Sequence, residues 1–285
     1  MAHRVGLFSC DSVGRPFVQM LEFCKERGYE GLELYENNDL TVPDLEVARR
    51  IREKALELDV AVCCMSQGAN LMAQDQKAEV ERTKKYIQVA ELAGAPYIHF
   101  TVFPVLRYDI RGVNRKKMIQ TVTPAIRELC DYAGERGISC LLEGQGFYVN
   151  GLETMADLVS EVDHTNLGIA ADLGNVLCVD EKPEPFVGYF APLVRHVHVK
   201  DMTFSDKHPN DGKRWIPTRN GDWLNRGCLG DGSVNIEKCL EILKNVGYTG
   251  NFVIENTVFD RLDQAAEDLK YVQNMVSRIF KEEEK

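Results

Sequence analysis

The chain has no run of 18 consecutive apolar residues, so nothing in it reads as a membrane span. It has no CxxC pair, although nine cysteines are scattered along it. Their odd number, their scatter and their apolar settings argue against a disulfide framework or a zinc knuckle, and for reduced, buried thiols in a cytoplasm. A nucleophilic cysteine is accordingly not expected. Basic residues are the minority: 34 Lys and Arg stand against 44 Asp and Glu, a formal charge of −10. Such a surface repels phosphate backbones, so nucleic acid is not an expected partner, while a local arginine still admits an anionic small substrate. Histidine is scarce, with six in all, and tryptophan scarcer, with two. No GxGxxG follows the first strand-like segment, which removes the usual dinucleotide fingerprint. The N-terminal MAHRVGLFSCDSVG lacks the apolar centre of a signal peptide, in keeping with a cytoplasmic chain.

What is present is a strict alternation. With 285 residues, 44% of them hydrophobic, the chain is long enough for an α/β barrel with a large core. RVGLFS, GLELY, VAVCCMS and YIHFTV read as the first four strands, and ISCLLE, LGIAAD, VRHVHVK and NFVIE as the last four. Segments of helical periodicity separate them, and KERG, ELAG, GERG and KNVG each stop a helix on glycine shortly before a strand. Pro124 lies inside the fourth helix and predicts a kink or a restart. The closing RLDQAAEDLKYVQNMVSRIFKEEEK predicts a last helix with a solvated, charged end. A strand–helix unit recurring about every 35 residues is the pattern of a (β/α)8 TIM barrel. A doubly wound sheet is the rival, and eight units without the glycine fingerprint favour the barrel. No linker divides the chain, so one domain over 1–285 is expected.

The last four strands each stop on a residue able to bind a metal: Glu143, Asp172, His198 and Glu255. Ligands of parallel α/β folds bind beyond the carboxyl ends of the strands. Side-chain alternation puts His196, His198 and Lys200 on one face and Val197 and Val199 on the other. The same count turns Glu255 away from Phe252 and Ile254, groups Asp172 with Gly168 and Ala170, and groups Glu143 with Leu141. Each acid taken alone reads as readily as a helix cap or an ion-pair partner. Four ligands in phase at one mouth of one barrel point instead to a single divalent-metal site. Three carboxylates and an imidazole suit Mn²⁺ first, then Mg²⁺ or Co²⁺. A structural Zn²⁺ prefers thiolates and histidines.

With HVHVKD at 196–201, the GDG step at 230–232 leading into VNIEKCLEILKNVGYTG, and FVIE at 252–255, the chain resembles the xylose isomerase-like TIM-barrel superfamily over nearly its whole length. That superfamily includes ketose 3-epimerases, inosose dehydratases and, more distantly, endonuclease IV. The resemblance implies that Glu143, Asp172, His198 and Glu255 hold one divalent ion, and that Glu143 and Glu255 exchange the proton on the substrate carbon. The implied function is a divalent-metal-dependent isomerase or epimerase acting on a ketose or sugar phosphate through an enediolate. The alternative is a dehydratase or lyase on a keto-inositol or keto-glycoside, and a non-catalytic sugar-binding barrel is a third reading. Many relatives carry histidine three residues after the aspartate, where this chain has Asn175. Six histidines are too few for the three-metal cluster of endonuclease IV.

Further residues are expected around a carbohydrate substrate. Lys200 either holds a substrate oxygen or pairs with an acid. Glu33 and His99 contact substrate or pair inside the barrel, and Asn70 meets substrate hydroxyls or serves a turn. His196 lies deeper and reads as a supporting or core residue, and Asp201 as structural. The stretch 202–233 is long for a loop of a compact domain and holds Trp215, Arg219, Trp223 and Arg226. Arg226 matches a position where epimerase relatives often carry a substrate-binding arginine. Trp223 offers an aromatic face to a sugar. Alternatively, the two tryptophans form a subunit contact, which fits a homo-oligomer, either dimer or tetramer.

Overall fold

The structure is a computed structural model that describes residues 3–10, 12, 14–103, 114–255 and 262–281. Eight parallel strands close into a barrel: β1 (Val5–Phe8), β2 (Gly31–Tyr35), β3 (Ala61–Gln67), β4 (Tyr97–Phe100), β5 (Ser139–Leu142), β6 (Leu167–Asp172), β7 (Val194–Val199) and, last in sequence, β11 (Phe252–Ile254). Each strand pairs with its neighbours in chain order, and β11 returns to pair with β1. Helices α1 (Phe17–Arg27), α2 (Leu45–Leu58), α3 (Gln76–Ala93), α4 (Arg115–Gly134), α5 (Leu152–Val162), α6 (Pro183–Phe190), α7 (Ile236–Asn245) and α8 (Leu262–Ile279) follow the strands in turn. The expected (β/α)8 barrel is therefore the observed one. Among the described residues no helix is long and apolar enough to cross a membrane. The expected charged tail lies mostly outside the described residues, and Pro124 sits within a continuous α4.

Local chemistry explains the elements. In α7, Ile236, Cys239, Leu240 and Leu243 fall at i, i+3, i+4 and i+7 and are buried, while Asn235 caps the first turn by accepting from Lys238 N at 3.2 Å. Asp44 caps α2 likewise, accepting from Glu46 N at 2.9 Å and Val47 N at 3.1 Å. The strands bury both faces. Their outward residues, such as Val197, Val199, Phe252 and Ile254, join the helix-facing core. Their inward residues plug the barrel with small clusters, Phe8 with Cys63 and Val253, and Cys64 with Leu141 and Ala170.

Two irregularities in register matter for the site. Leu32 pairs with Val62 but Glu33 with Cys64, so Cys63 is an extra residue. Ile169 pairs with Val194 but Ala170 with His196, so Arg195 is extra. Such bulges re-aim the strand beyond them. Here they let Val194 face the helices while His196 and His198 both face inward.

The stretch after β7, expected as one long loop, contains a small antiparallel sheet instead. Strands β8 (Met202–Ser205), β9 (Ile216–Pro217) and β10 (Trp223–Arg226) are ordered β8–β10–β9. These strands are two to four residues long, too short to show an alternation in the sequence. Asp201 closes the neck of this flap. Its carboxylate accepts from Met202 N at 2.8 Å and from Gly230, Gly232 and Val234 N at 3.0 Å each. A Cβ at Gly232 would lie 2.1 Å from Asp201 Oδ1, and Gly230 has φ of +92°, so the GDG step needs both glycines.

Candidate metal centre

Glu143 follows β5, Asp172 ends β6, His198 is the last inward residue of β7, and Glu255 follows β11. One ligand atom from each lies within 4.8 Å of the others, and all four residues are buried. His198 is the hub. Its Nδ1 stands 2.9 Å from Glu143 Oε1, 3.3 Å from Glu255 Oε2 and 4.0 Å from Asp172 Oδ2. Phe8 stacks on the imidazole at 4.9 Å between ring centroids. The loop after β6 fixes Asp172, whose Oδ1 accepts from Gly174 N and Asn175 N at 2.8 Å each.

Three buried carboxylates this close repel one another and are costly to desolvate unless cations compensate them. Lys200 Nζ lies 2.6 Å from Asp172 Oδ2, 2.8 Å from Glu255 Oε1 and 3.1 Å from Asn175 Oδ1. Arg226 Nη2 lies 2.8 Å from the same Glu255 oxygen. Burial would raise the Glu255 carboxyl, but Lys200, Arg226 and His198 hold it well below the usual range. Against burial, His99 and His198 bring Glu143 down to about 2. Asp172 goes the other way: burial, with Glu255 and Glu143 close by, pushes it up to about 7 against the pull of Lys200. The donor set, three carboxylates and an imidazole nitrogen converging inside the barrel mouth, fits a hard divalent cation.

The xylose isomerase-like TIM barrel model matches residues 21–275. The chain belongs to that family. Among curated relatives of this xylose isomerase-like barrel, the uncharacterized protein MJ1311 of Methanocaldococcus jannaschii is 27% identical over 168 residues, 56% of this chain and 51% of that protein. The 3-dehydroshikimate dehydratase of Bacillus anthracis is 22% identical over 197 residues, 67% of this chain and 68% of the relative. Inosose dehydratase 1 of Bacillus cereus (strain ZK / E33L) is 27% identical over 111 residues, 37% and 36% of the two chains. The chain thus spans about half the length of the archaeal relative and about a third of the last. Solved structures agree in fold. A Mycobacterium smegmatis xylose isomerase-like protein in complex with magnesium superposes with TM-score 0.78, 18% identity and 98% coverage of each chain. D-Psicose 3-epimerase with D-tagatose from Clostridium cellulolyticum H10 gives 0.75, 14% identity, and 98% and 99% coverage. The IOLI protein with a bound zinc gives 0.76, 16% identity, and 98% and 100% coverage.

Within this xylose isomerase-like barrel the other expected residues separate into those at the cluster and those away from it. Lys200 and Arg226 meet it directly. His99 is buried beside it, with Nε2 3.4 Å from Glu143 Oε2 and Nδ1 3.0 Å from Ser66 Oγ. Asn70 is half-buried after β3, its backbone N–H donated to Glu79 Oε1 at 2.9 Å, and its side chain makes no hydrogen bond to the cluster among the described residues. Glu33, expected either to contact substrate or to pair inside the barrel, is fully buried, and its oxygens meet His196, His198 and Ser66. It is paired inside the barrel. Trp223, also expected to meet substrate, lies on the outer face of the flap. Alternation in β10 turns Leu224 and Arg226 toward the barrel, where Leu224 packs with Phe147, Val179 and Met202. Trp223 therefore points away and packs edge-on against exposed His208 at 4.5 Å.

Three residues went unanticipated. Gln145 donates from its amide to Glu143 Oε2, and Phe103 and Tyr148 form a tilted ring pair 5.1 Å apart at a hollow beside Glu143. The segment GQGFY directly after Glu143 lies in a loop at the carboxyl end of β5, which is the signal that marks such residues. The cysteines largely behave as expected of core thiols: none is in a disulfide, seven are buried, and burial pushes Cys63, Cys178 and Cys239 up to about 12.

Proposed function

We propose that this protein is a divalent-metal-dependent isomerase or epimerase of a ketose or sugar phosphate, with Glu143 and Glu255 as the proton-transfer pair. The observation that carries the proposal is the position of these two glutamates. Both are buried, both flank His198 Nδ1, and they belong to one set of four ligand atoms. Glu143, Asp172, His198 and Glu255 would hold the ion, with Mn²⁺ preferred. Structural relatives that bind magnesium or zinc support a divalent ion. The bound ion supplies a Lewis acid that polarises a substrate carbonyl and makes the neighbouring C–H acidic.

The chain's own groups supply the rest. Glu143, kept ionised by its histidine neighbours, is ready to take a proton, and Gln145 orients it. Glu255, also ionised between Lys200 and Arg226, is the second carboxylate of the pair and returns a proton only after taking one from solvent. Lys200 and Arg226 also carry charge to substrate oxygens as negative charge develops there. Phe103 and Tyr148 offer aromatic faces to the C–H surface of a sugar.

A metal-dependent dehydratase is the second reading, because both curated relatives with a named activity are dehydratases. The same proton removal leads there when a hydroxyl leaves instead of a proton returning. One experiment separates the two. The Mn²⁺-loaded protein is incubated in deuterated water with a panel of free and phosphorylated ketoses, and in parallel with a keto-inositol and 3-dehydroshikimate. Deuterium entering the ketose beside its carbonyl supports the isomerase. Ultraviolet absorbance from an unsaturated product, without such uptake, replaces it with the dehydratase. Neither signal with any metal removes both.

A further inference from the structure

Beyond the four ligands, the barrel interior holds a buried polar cluster to which the proposed reaction assigns no step. Glu33 on β2 is fully buried. His198 Nε2 lies 2.9 Å from its Oε2 and 3.1 Å from its Oε1, and His196 Nε2 lies 2.6 Å from Oε2. Ser66 Oγ donates to Oε1, and His99 Nδ1 lies 3.0 Å from Ser66 Oγ. We infer that Glu33 is a positioning residue, which holds the Nε2 proton of His198 so that Nδ1 faces the metal site as a lone-pair donor. The inference rests on the metal reading above and extends it to the side of the barrel that supplies no ligand.

An ionised carboxylate only accepts, so every group on Glu33 must donate to it. Both Glu33 oxygens face the one His198 Nε2, at 2.9 and 3.1 Å, while His196 and Ser66 approach the same two oxygens, so the carboxylate is surrounded by groups that can donate. His198 Nε2 therefore carries a hydrogen toward Glu33. The ring geometry then leaves Nδ1 pointing at Glu143, Glu255 and Asp172. The Ser66 hydroxyl has a single hydrogen, given to Glu33, so its oxygen receives from His99 Nδ1. His196 fits the same polarity. Its Nε2 faces Glu33, and its Nδ1 makes no hydrogen bond. A metal-binding histidine whose far nitrogen is held by a carboxylate has its tautomer, its orientation and its basicity set together.

Glu33, His196 and His198 also satisfy the composition of a second metal site. Their spacing argues against it. Here the three pair with one another, His196 Nε2 lying 2.6 Å from Glu33 Oε2, and a second ion would need His198 to serve two ions through its two nitrogens.

The test uses the full chain stripped of metal and titrated with Mn²⁺ by calorimetry, with Co²⁺ absorption spectra as a second readout. The wild type is expected to bind one ion per chain. Glu33→Gln, which keeps the shape and loses the charge, is expected to bind the same number about 10- to 100-fold more weakly, with an altered Co²⁺ spectrum at saturation. Ser66→Ala removes one donor to Glu33 and is expected to weaken binding a few-fold in the same direction, roughly threefold. It decides the matter if Glu33→Gln does not fold. Unchanged affinity and spectrum in a folded variant overturn the inference. So does a wild type that binds two ions where Glu33→Gln binds one. A wild type that binds none instead overturns the metal reading itself.

Discussion

The ligand cluster and the flap above it are built on different principles. The cluster is embedded in the most buried part of the molecule, on strands whose registry is fixed by neighbours on both sides. The flap of β8, β9 and β10 stands on a small apolar footing of Phe147, Cys178, Val179, Met202 and Leu224, and is tied at its neck by Asp201. Arg219 adds one strap, donating to Phe147 O at 2.9 Å. The cluster is thus fixed by the fold, and the flap by a handful of replaceable contacts. They meet at Glu255, which receives Lys200 from β7's end and Arg226 from the flap. If this division is right, changes in the cluster alter chemistry with little effect on the flap, and changes in the flap alter stability and substrate affinity with little effect on metal binding.

The largest expected effect is at the shared point. Glu255→Gln should lower solvent proton exchange by about 10²- to 10⁴-fold, the range usual for loss of a general acid or base. Deuterium uptake followed by mass spectrometry measures it, and circular dichroism should show an unchanged fold. Exchange at the wild-type rate would take Glu255 out of the chemistry.

The neck comes next. Asp201→Asn replaces two acceptor oxygens by one oxygen and a donating amide, so two of four backbone N–H groups lose their partner. With hydrogen bonds to charged groups at roughly 1.5–3 kcal/mol each, the change should cost about 3 kcal/mol or more. Denaturant unfolding reads the loss, and Mn²⁺ affinity should stay within about twofold if the cluster is independent of the flap. A large loss of metal affinity would mean that the neck and the cluster form one unit.

A smaller effect follows from pH and concerns the cluster alone. Burial lowers His198, but Glu33, Glu143 and Glu255 raise it well above the usual histidine range, while Asp172 is pushed up to about 7. The ion-free cluster therefore carries protons that a metal must displace. Binding releases protons, so affinity rises with pH and falls as pH drops through about 7, by about tenfold per unit for each proton displaced. Calorimetry in buffers of different ionisation enthalpy counts those protons. Affinity independent of pH between 6 and 8 would mean that the ligands are already bare.

The same division separates what the sequence makes legible from what it hides. Strand alternation alone brings Glu143, Asp172, His198 and Glu255 to one mouth, because a period of two leaves each side chain only two directions. Lys200 and Arg226 reach the cluster for related reasons, the first by phase and the second by its resemblance to family members. Glu33 is in phase as well, but phase cannot tell an inward acid at the mouth from one enclosed below it. Depth depends on the bulges at Cys63 and Arg195, which no local pattern announces. Trp223 shows a different limit: in a four-residue strand, facing is set by which neighbour packs beneath it, here Leu224 on Phe147 and Val179.

The smallest expected effect tests that last point. Trp223 shares the outer face of β10 with Asn225, whose side chain donates to Arg214 O at 2.6 Å, and its ring meets His208 instead of the barrel mouth. Trp223→Ala should therefore leave metal affinity and the KM for substrate within about twofold, and change stability by only about 0.5–1 kcal/mol, typical of a partly exposed site without a buried partner. Leu224→Ala, one residue on and facing inward, should cost about 2–5 kcal/mol by opening a cavity in the footing. It should also raise KM, because Arg226 follows on the same face. The pair forms a direct test of facing. A large KM effect from Trp223 together with a small one from Leu224 would mean that the flap turns its other face to the substrate, and would return Trp223 to the site.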